Sequence, residues 1–496
     1  MAKMIKLLAI PLVVMGSGAM HAQELAYFKK YGTNVEVSDQ IRQTADGNLL
    51  MLSTVRRTNS LGQFIRDIQL TKTNTNGDTV WTRFLGRDER SEMARDFEIV
   101  ENDDLLLTGF SSYDMGTRTQ GFLMRTDSIG NLLWEKYYGS ENEIVAFSSL
   151  KVINDSILLA GTIEREGNGD AFIMKTTATG DSLWGTQIGG PAYDDAWDIE
   201  TAHDGGYITT GGTYSFAQGT LDDAWLVKLN NDGSLAWYKT YGSADRVDWA
   251  WALAPARNSA GTIEGYVFTG VKNSGEQGTV QGIYGDIHLV KTDTAGNVIW
   301  DKSLAIPGIQ LRKEGTDIIP TSDGGFAICG FGLRTWGAGQ YASNLYFAKL
   351  DADGNIEDDL FVDELNEFTT PRAITEGADG NFYITGITAV PPGDQLNIFQ
   401  ARINMQAPSS ISGTANDITG FQLFPNPATD QVTVSLPGKE IASISLYSVD
   451  GKLLRYVSQV AEGNLTLSVK EFKGSTLFVA VTAKDRRTAY KRLVVR

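Results

Sequence analysis

The chain has 496 residues, 42% of them hydrophobic and 21% charged, an ordinary globular composition with room for more than one domain. A formal charge of −17 argues against nucleic acid and anionic lipid as partners, since both are bound mainly through Lys and Arg. One cysteine, Cys329, and three histidines exclude an internal disulfide framework and a cysteine-based zinc site. They also leave few candidates for a His-rich metal site or a Ser-His-Asp triad.

Residues 1–22 read as a signal peptide. Lys3 and Lys6 precede an apolar stretch from Leu7 to Met15, and small residues lead to Ala22 ahead of Gln23. That stretch is too short to span a bilayer as a helix, no later segment approaches the required length, and no membrane insertion is expected. Residues 27–32, YFKKYG, then read as a single strand with the pattern of WEKYYG at 134–139.

From there a unit of about 50–60 residues recurs. A basic residue returns at Lys72, Arg125, Lys175, Lys228, Lys291, Lys349 and Arg402. Five residues after each of the first six stands a glycine (Gly77, Gly130, Gly180, Gly233, Gly296, Gly354), and four after the first five of those a tryptophan (Trp81, Trp134, Trp184, Trp237, Trp300). An alternating run, a glycine turn and a further strand make a hairpin. A second hairpin precedes it, as in DGGYITTG at 204–211, and ends on a small residue at Ser53, Gly109, Gly161, Gly211, Gly270, Gly330 and Gly386.

Each unit thus supplies four strands, the pattern of a β-propeller blade. The seventh copy stops after Arg402-Ile403-Asn404 without a fourth strand, while residues 24–32 supply a surplus one. The expectation is an all-β, seven-bladed propeller over residues 23–404, with the N-terminal strand closing the last blade. The units resemble the DGGY-type propeller repeats of secreted bacterial proteins, a resemblance that implies architecture and no single activity.

Function is expected where the copies differ. Trp249 and Trp251 alternate beside Asp248, and Trp197 holds the place of Trp251 beside Asp194 and Asp195. First strands line a propeller's channel, so these six residues are the candidate ligand-binding group. Indoles with carboxylates suit sugar binding, and paired carboxylates also suit glycoside hydrolysis. The structural alternative has the indoles filling blade interfaces and the acids capping turns. The seven basic residues, repeated in every blade, read as architecture. The segment Asp351–Asn355 sits in a turn slot and lacks the glycine and glutamate that an EF-hand requires. No nucleotide-binding or hydrolase motif occurs, and no catalytic residue, cofactor or metal is expected.

Residues 405–420 read as a linker rich in small and polar residues, and residues 421–496 as a small β-sandwich of short alternating strands. Phe424-Pro425-Asn426-Pro427 is followed by Tyr447, by Asp450-Gly451-Lys452 and by a basic-apolar ending. This stretch resembles the C-terminal sorting domain of type IX secretion cargo from Bacteroidota. The resemblance implies passage through the periplasm, engagement of the type IX secretion machinery, and a secreted or cell-surface location.

The leading functional expectation is a non-enzymatic binding or interaction scaffold for a glycan or protein ligand. The alternatives are a glycan-active enzyme with carboxylates at the channel mouth, or a structural surface component.

Overall fold

The structure, a computed structural model, describes residues 24–113, 118–274, 284–306, 309–336, 340–362, 368–389, 396–405, 421–436, 440–448, 453–458, 464–483 and 488–496. The leader and most of the linker lie outside these residues, as do Asp450, Gly451 and Lys452.

The described chain forms two compact units, the larger built on Leu25–Asn355 and Asp359–Asn404. Within it the strands pair as antiparallel four-stranded sheets in sequence order. Blade 1 spans residues 35–85, blade 2 91–138, blade 3 144–188, blade 4 198–241, blade 5 247–304, blade 6 313–362, and blade 7 begins at 368. The strand Glu24–Gln43 lies between Leu396–Asn404 of the last blade and Leu49–Thr58 of the first. Its second half, from Val35, is the inner strand of blade 1. In its first half Phe28 stacks on Phe399 with centroids 4.8 Å apart, and the Tyr31 hydroxyl donates to Gln400 Oε1 at 2.9 Å. One strand therefore serves two blades, and this joins the ends of the ring. The architecture is a seven-bladed β-propeller.

The repeated residues hold this ring together. In five blades the basic residue of the third strand pairs with an acid at the turn between strands one and two, as in Lys72–Asp46 (2.8 Å), Lys228–Asp204 (2.9 Å) and Lys349–Asp323 (2.9 Å), and in blade 5 Lys291 pairs with Glu264 at the start of the second strand. Lys175 instead donates to the Tyr207 hydroxyl of the next blade at 2.8 Å. The fourth strand of one blade docks on the third-strand turn of the next. The hydroxyls of Tyr31, Tyr138 and Tyr241 donate to the carbonyls of Gly77, Gly180 and Gly296 at 2.7, 2.7 and 2.8 Å. The aromatic ring five residues before the strand's closing glycine covers that same turn. At Gly233, for instance, φ is +84° and a Cβ would come within 2.6 Å of Trp184. The turn needs glycine for its backbone, and the neighbouring blade needs it for space. Tyr27 takes the tryptophan's place over Gly77, so the blade 7–blade 1 joint copies the others.

The second unit holds a three-stranded sheet and a four-stranded sheet. Between them Val432, Val434, Ile444, Leu446, Val479, Val481 and Leu493 form a buried core. The Phe424–Pro427 segment has a specific task here. Asn426 Oδ1 accepts the Val494 amide at 3.0 Å, and Ala428 exchanges backbone hydrogen bonds with Val494 and Arg496 at 2.8 and 2.7 Å. The motif clamps the last strand of the chain.

Candidate functional site

Every inner strand carries the same irregularity. The register between first and second strands slips by one residue in all seven blades, leaving one extra residue on the inner strand. Such a bulge bends the strand and re-aims a side chain. The extra residues are Asp39, Arg95, Ser148, Trp197, Trp251, Thr316 and Arg372, and all seven line one axial cavity of about 460 Å³.

In six blades a second-strand glycine makes room for the bulge, and blade 1 carries the small residue Ser53 at that place. A Cβ at Gly109, Gly161, Gly211, Gly270, Gly330 or Gly386 would meet the carbonyl two residues before the bulged position at 1.9–2.3 Å. The sequence constant (glycine) thus aims the sequence variable (the rim residue) at the axis.

Below the rim, Asp96, Asp198 and Asp317 occupy equivalent places on blades 2, 4 and 6. One oxygen of each accepts the following amide, of Phe97, Ile199 or Ile318, at 2.8 Å. The other accepts an amide from the next blade: Leu150 at 3.0 Å, Leu253 at 2.8 Å and Ile374 at 2.9 Å. The Ser149 hydroxyl lies between Asp96 and Asp198, at 3.2 and 2.9 Å. These carboxylates cap strand edges that face the axis. Burial raises the Asp198 carboxyl to about 7 and that of Asp317 to about 6, against backbone amides that pull both down. Arg42 binds Asp96 at 3.1 Å, and Lys151 reaches Glu200 at 2.7 Å and Glu98 at 3.5 Å. The cavity wall is charged with both signs and mostly paired.

Among the six residues singled out from sequence, Trp197 and Trp251 reach the cavity, half-buried, with ring centroids 4.9 Å apart in an edge contact. Trp249 stands against Trp251 at 5.0 Å and packs on Gly212 of blade 4. The three acids are taken up by hydrogen bonds chiefly from backbone amides of their own and neighbouring segments instead. Asp194 accepts from Thr213 and from the amides of Gly190 and Ser215. Asp248 accepts the Ser243 and Asn273 amides at 2.9 and 2.7 Å. Asp195 accepts the Gly212 amide at 2.7 Å. Burial raises its carboxyl to about 7, while that amide and the Trp197 indole pull it down. Sequence reasoning did not find Asp39, Arg95 and Arg372, which share the rim with the indoles. The available signal was the offset from the repeated glycine.

Seven blades around a cavity lined by one bulged residue from each define a β-propeller with an open axial mouth. Residues 422–496 match the family described as the secretion system C-terminal sorting domain. The chain is an exported propeller protein that carries a type IX secretion sorting domain, and this places its origin in the Bacteroidota.

Solved structures with some likeness include the β-propeller domain of the Trilobed protease from Pyrococcus furiosus, at 8% identity and TM-score 0.42 over 77% of this chain and 98% of that one. PorZ, a surface component of the type-IX secretion system of Porphyromonas gingivalis, is 12% identical over 98% of this chain and 86% of its own, with a TM-score of 0.30. The alpha-L-arabinanase of Penicillium chrysogenum is 10% identical over 76% and 99%, with a TM-score of 0.39. The fold assignment rests on the sheets described above. A search of curated protein sequences finds no match. No helix among the described residues is long and apolar enough to cross a membrane.

Proposed function

We propose that this exported propeller is a non-enzymatic binding scaffold whose ligand, a saccharide, docks at the axial mouth against Trp197 and Trp251. The observation that carries this is the pair of half-buried indoles that two bulges turn toward one cavity. Indole faces take the C–H faces of sugars. The cavity volume of about 460 Å³ lies in the ordinary range for small-ligand sites. In this reading residues 1–22 are a cleaved leader, 23–404 the binding domain, 405–420 a linker and 421–496 a separable address for the secretion machinery.

Hydrolysis would need carboxylates free to donate a proton and to attack or activate water. Both oxygens of Asp96, Asp198 and Asp317 already accept protein hydrogen bonds. Asp39 keeps one buried oxygen without a partner among the described residues, but it is ion-paired to Arg95 and a single such group is short of the pair that hydrolysis needs, which supports binding over chemistry at this site. The test is to screen the purified full chain against a glycan array and a set of chromogenic glycosides. Saccharide binding that Trp251→Ala weakens, with no glycoside turned over, is the expected result. Turnover abolished by Asp198→Asn would install the enzymatic reading instead.

A further inference from the structure

We infer that the saccharide bound at this mouth is an acidic one, its ring on the indoles and its anionic group on Arg372. The inference rests on the binding reading above and adds the ligand's charge. The rim is asymmetric in a way the seven-fold frame makes plain. Trp197 and Trp251 come from blades 4 and 5, while Arg372, Asp39 and Arg95 come from blades 7, 1 and 2. In a ring of seven, blade 1 lies across the axis from the gap between blades 4 and 5. An aromatic wall therefore faces a charged one.

That charged wall is not balanced. Arg95 and Asp39 form an ion pair at 3.2 Å. Arg372, on the other flank of Asp39, is exposed and makes no ion pair among the described residues. It lies near enough to act electrostatically on the Asp39 carboxyl. One carboxylate thus stands between two guanidinium groups, and the spare fork belongs to Arg372. A guanidinium binds carboxylate or sulfate oxygens through two parallel N–H donors. A ligand filling the mouth would meet a flat apolar surface on one side and this fork on the other.

An acidic peptide carries the same charge, but the wall suits it less well. A peptide would bind largely through its backbone to strand edges. Here the axis-facing amides of Leu150, Leu253 and Ile374 are already capped by aspartates of the neighbouring blades. What remains for recognition is the rim side chains, among them two indoles and the guanidinium of Arg372.

The experiment titrates the full chain with uronate trisaccharides and their methyl esters, and with a sulfated trisaccharide and its desulfated form. The two pairs tell a carboxylate from a sulfate. In at least one pair the acidic form should bind about tenfold or more tightly than its neutral twin, as loss of one charge-assisted pair implies. Arg372→Gln should abolish that preference and Arg372→Lys should keep part of it. Neutral and acidic forms binding equally would overturn the inference and leave saccharide binding intact. So would a preference for acid that survives Arg372→Gln. If no saccharide of either charge binds, while acidic aromatic peptides do, both the inference and the binding reading fall.

Discussion

Replacing Trp251 by alanine separates a ring kept for binding from a ring kept for packing. Trp251 is half-buried and meets Trp197 and Trp249 edge-on at 4.9 and 5.0 Å. Each such contact is worth about 0.5–1.5 kcal/mol. The indole N–H has no hydrogen-bond partner among the described residues, so none is lost with it. The expected cost is about 2 kcal/mol, below the ~3–5 kcal/mol of a fully packed aromatic. Trp225 supplies the internal standard. It is fully buried, stacks with Phe216 and donates its N–H to the Asp195 carbonyl at 2.8 Å. Trp225→Ala should cost ~4 kcal/mol or more, because it leaves a cavity and an orphaned carbonyl. Tryptophan fluorescence during denaturant unfolding is the natural assay. All ten tryptophans lie between residues 81 and 336, so the signal reports the propeller alone. Paired with saccharide titration, Trp251→Ala should show the smaller stability loss and about a tenfold loss of affinity. If it destabilises as much as Trp225→Ala and leaves affinity unchanged, the three indoles are core filler and the mouth is not a sugar site.

Tyr31→Phe, which removes hydrogen bonds to Gly77 and Gln400, should cost about 1–3 kcal/mol. Tyr138→Phe and Tyr241→Phe should behave alike in the same unfolding assay, since the closing joint copies the internal ones. Deleting residues 24–32 should be far more damaging, because it bares a sheet edge; size-exclusion chromatography should show aggregation. Asp198 and Asp317 have carboxyls raised by burial to about 7 and about 6, above the unfolded value of roughly 3.9. The folded state therefore holds their protons more firmly, and stability present below pH 4 is lost as pH rises through 6 to 7. The midpoint temperature should fall between pH 5 and pH 8; a rise over that range would contradict the assignment. Removing residues 416–496 should leave a folded propeller trapped in the periplasm, and fractionation showing unchanged export would end the sorting role of the tail.

The blades were legible because their key residues are constrained twice. A glycine such as Gly233 is held both by its turn and by the indole of the blade before it, so its offset from lysine and tryptophan does not drift. The rim was harder to read. A bulge adds one residue and breaks the two-residue alternation from which facing directions are inferred. Trp249 and Trp251 were readable as neighbours, but only Trp251 is the bulged residue that enters the cavity. Asp194, Asp195 and Asp248 stand near rim residues in sequence, yet each lies ahead of its bulge and accepts from backbone amides. Asp39 repeats at no equivalent position and arginine at only two, Arg95 and Arg372, so internal comparison gave them no weight. In the tail the Pro-Asn-Pro motif stood out as a pattern. Its purpose did not, because the amide that Asn426 accepts belongs to the last strand of the chain.

The shared strand Glu24–Gln43 also decides how the propeller bears tension. The chain leads from the end of Leu396–Asn404 into the linker and the sorting domain, so a pull exerted through the tail would fall on that strand. Alone on the rim of the last blade, it would peel from Phe382–Ala389 one hydrogen bond after another. With Glu24–Gln43 on its other side, it is a plank nailed along both edges, and two ladders must give way together. The first strand of the propeller thus acts as the anchor of its last one.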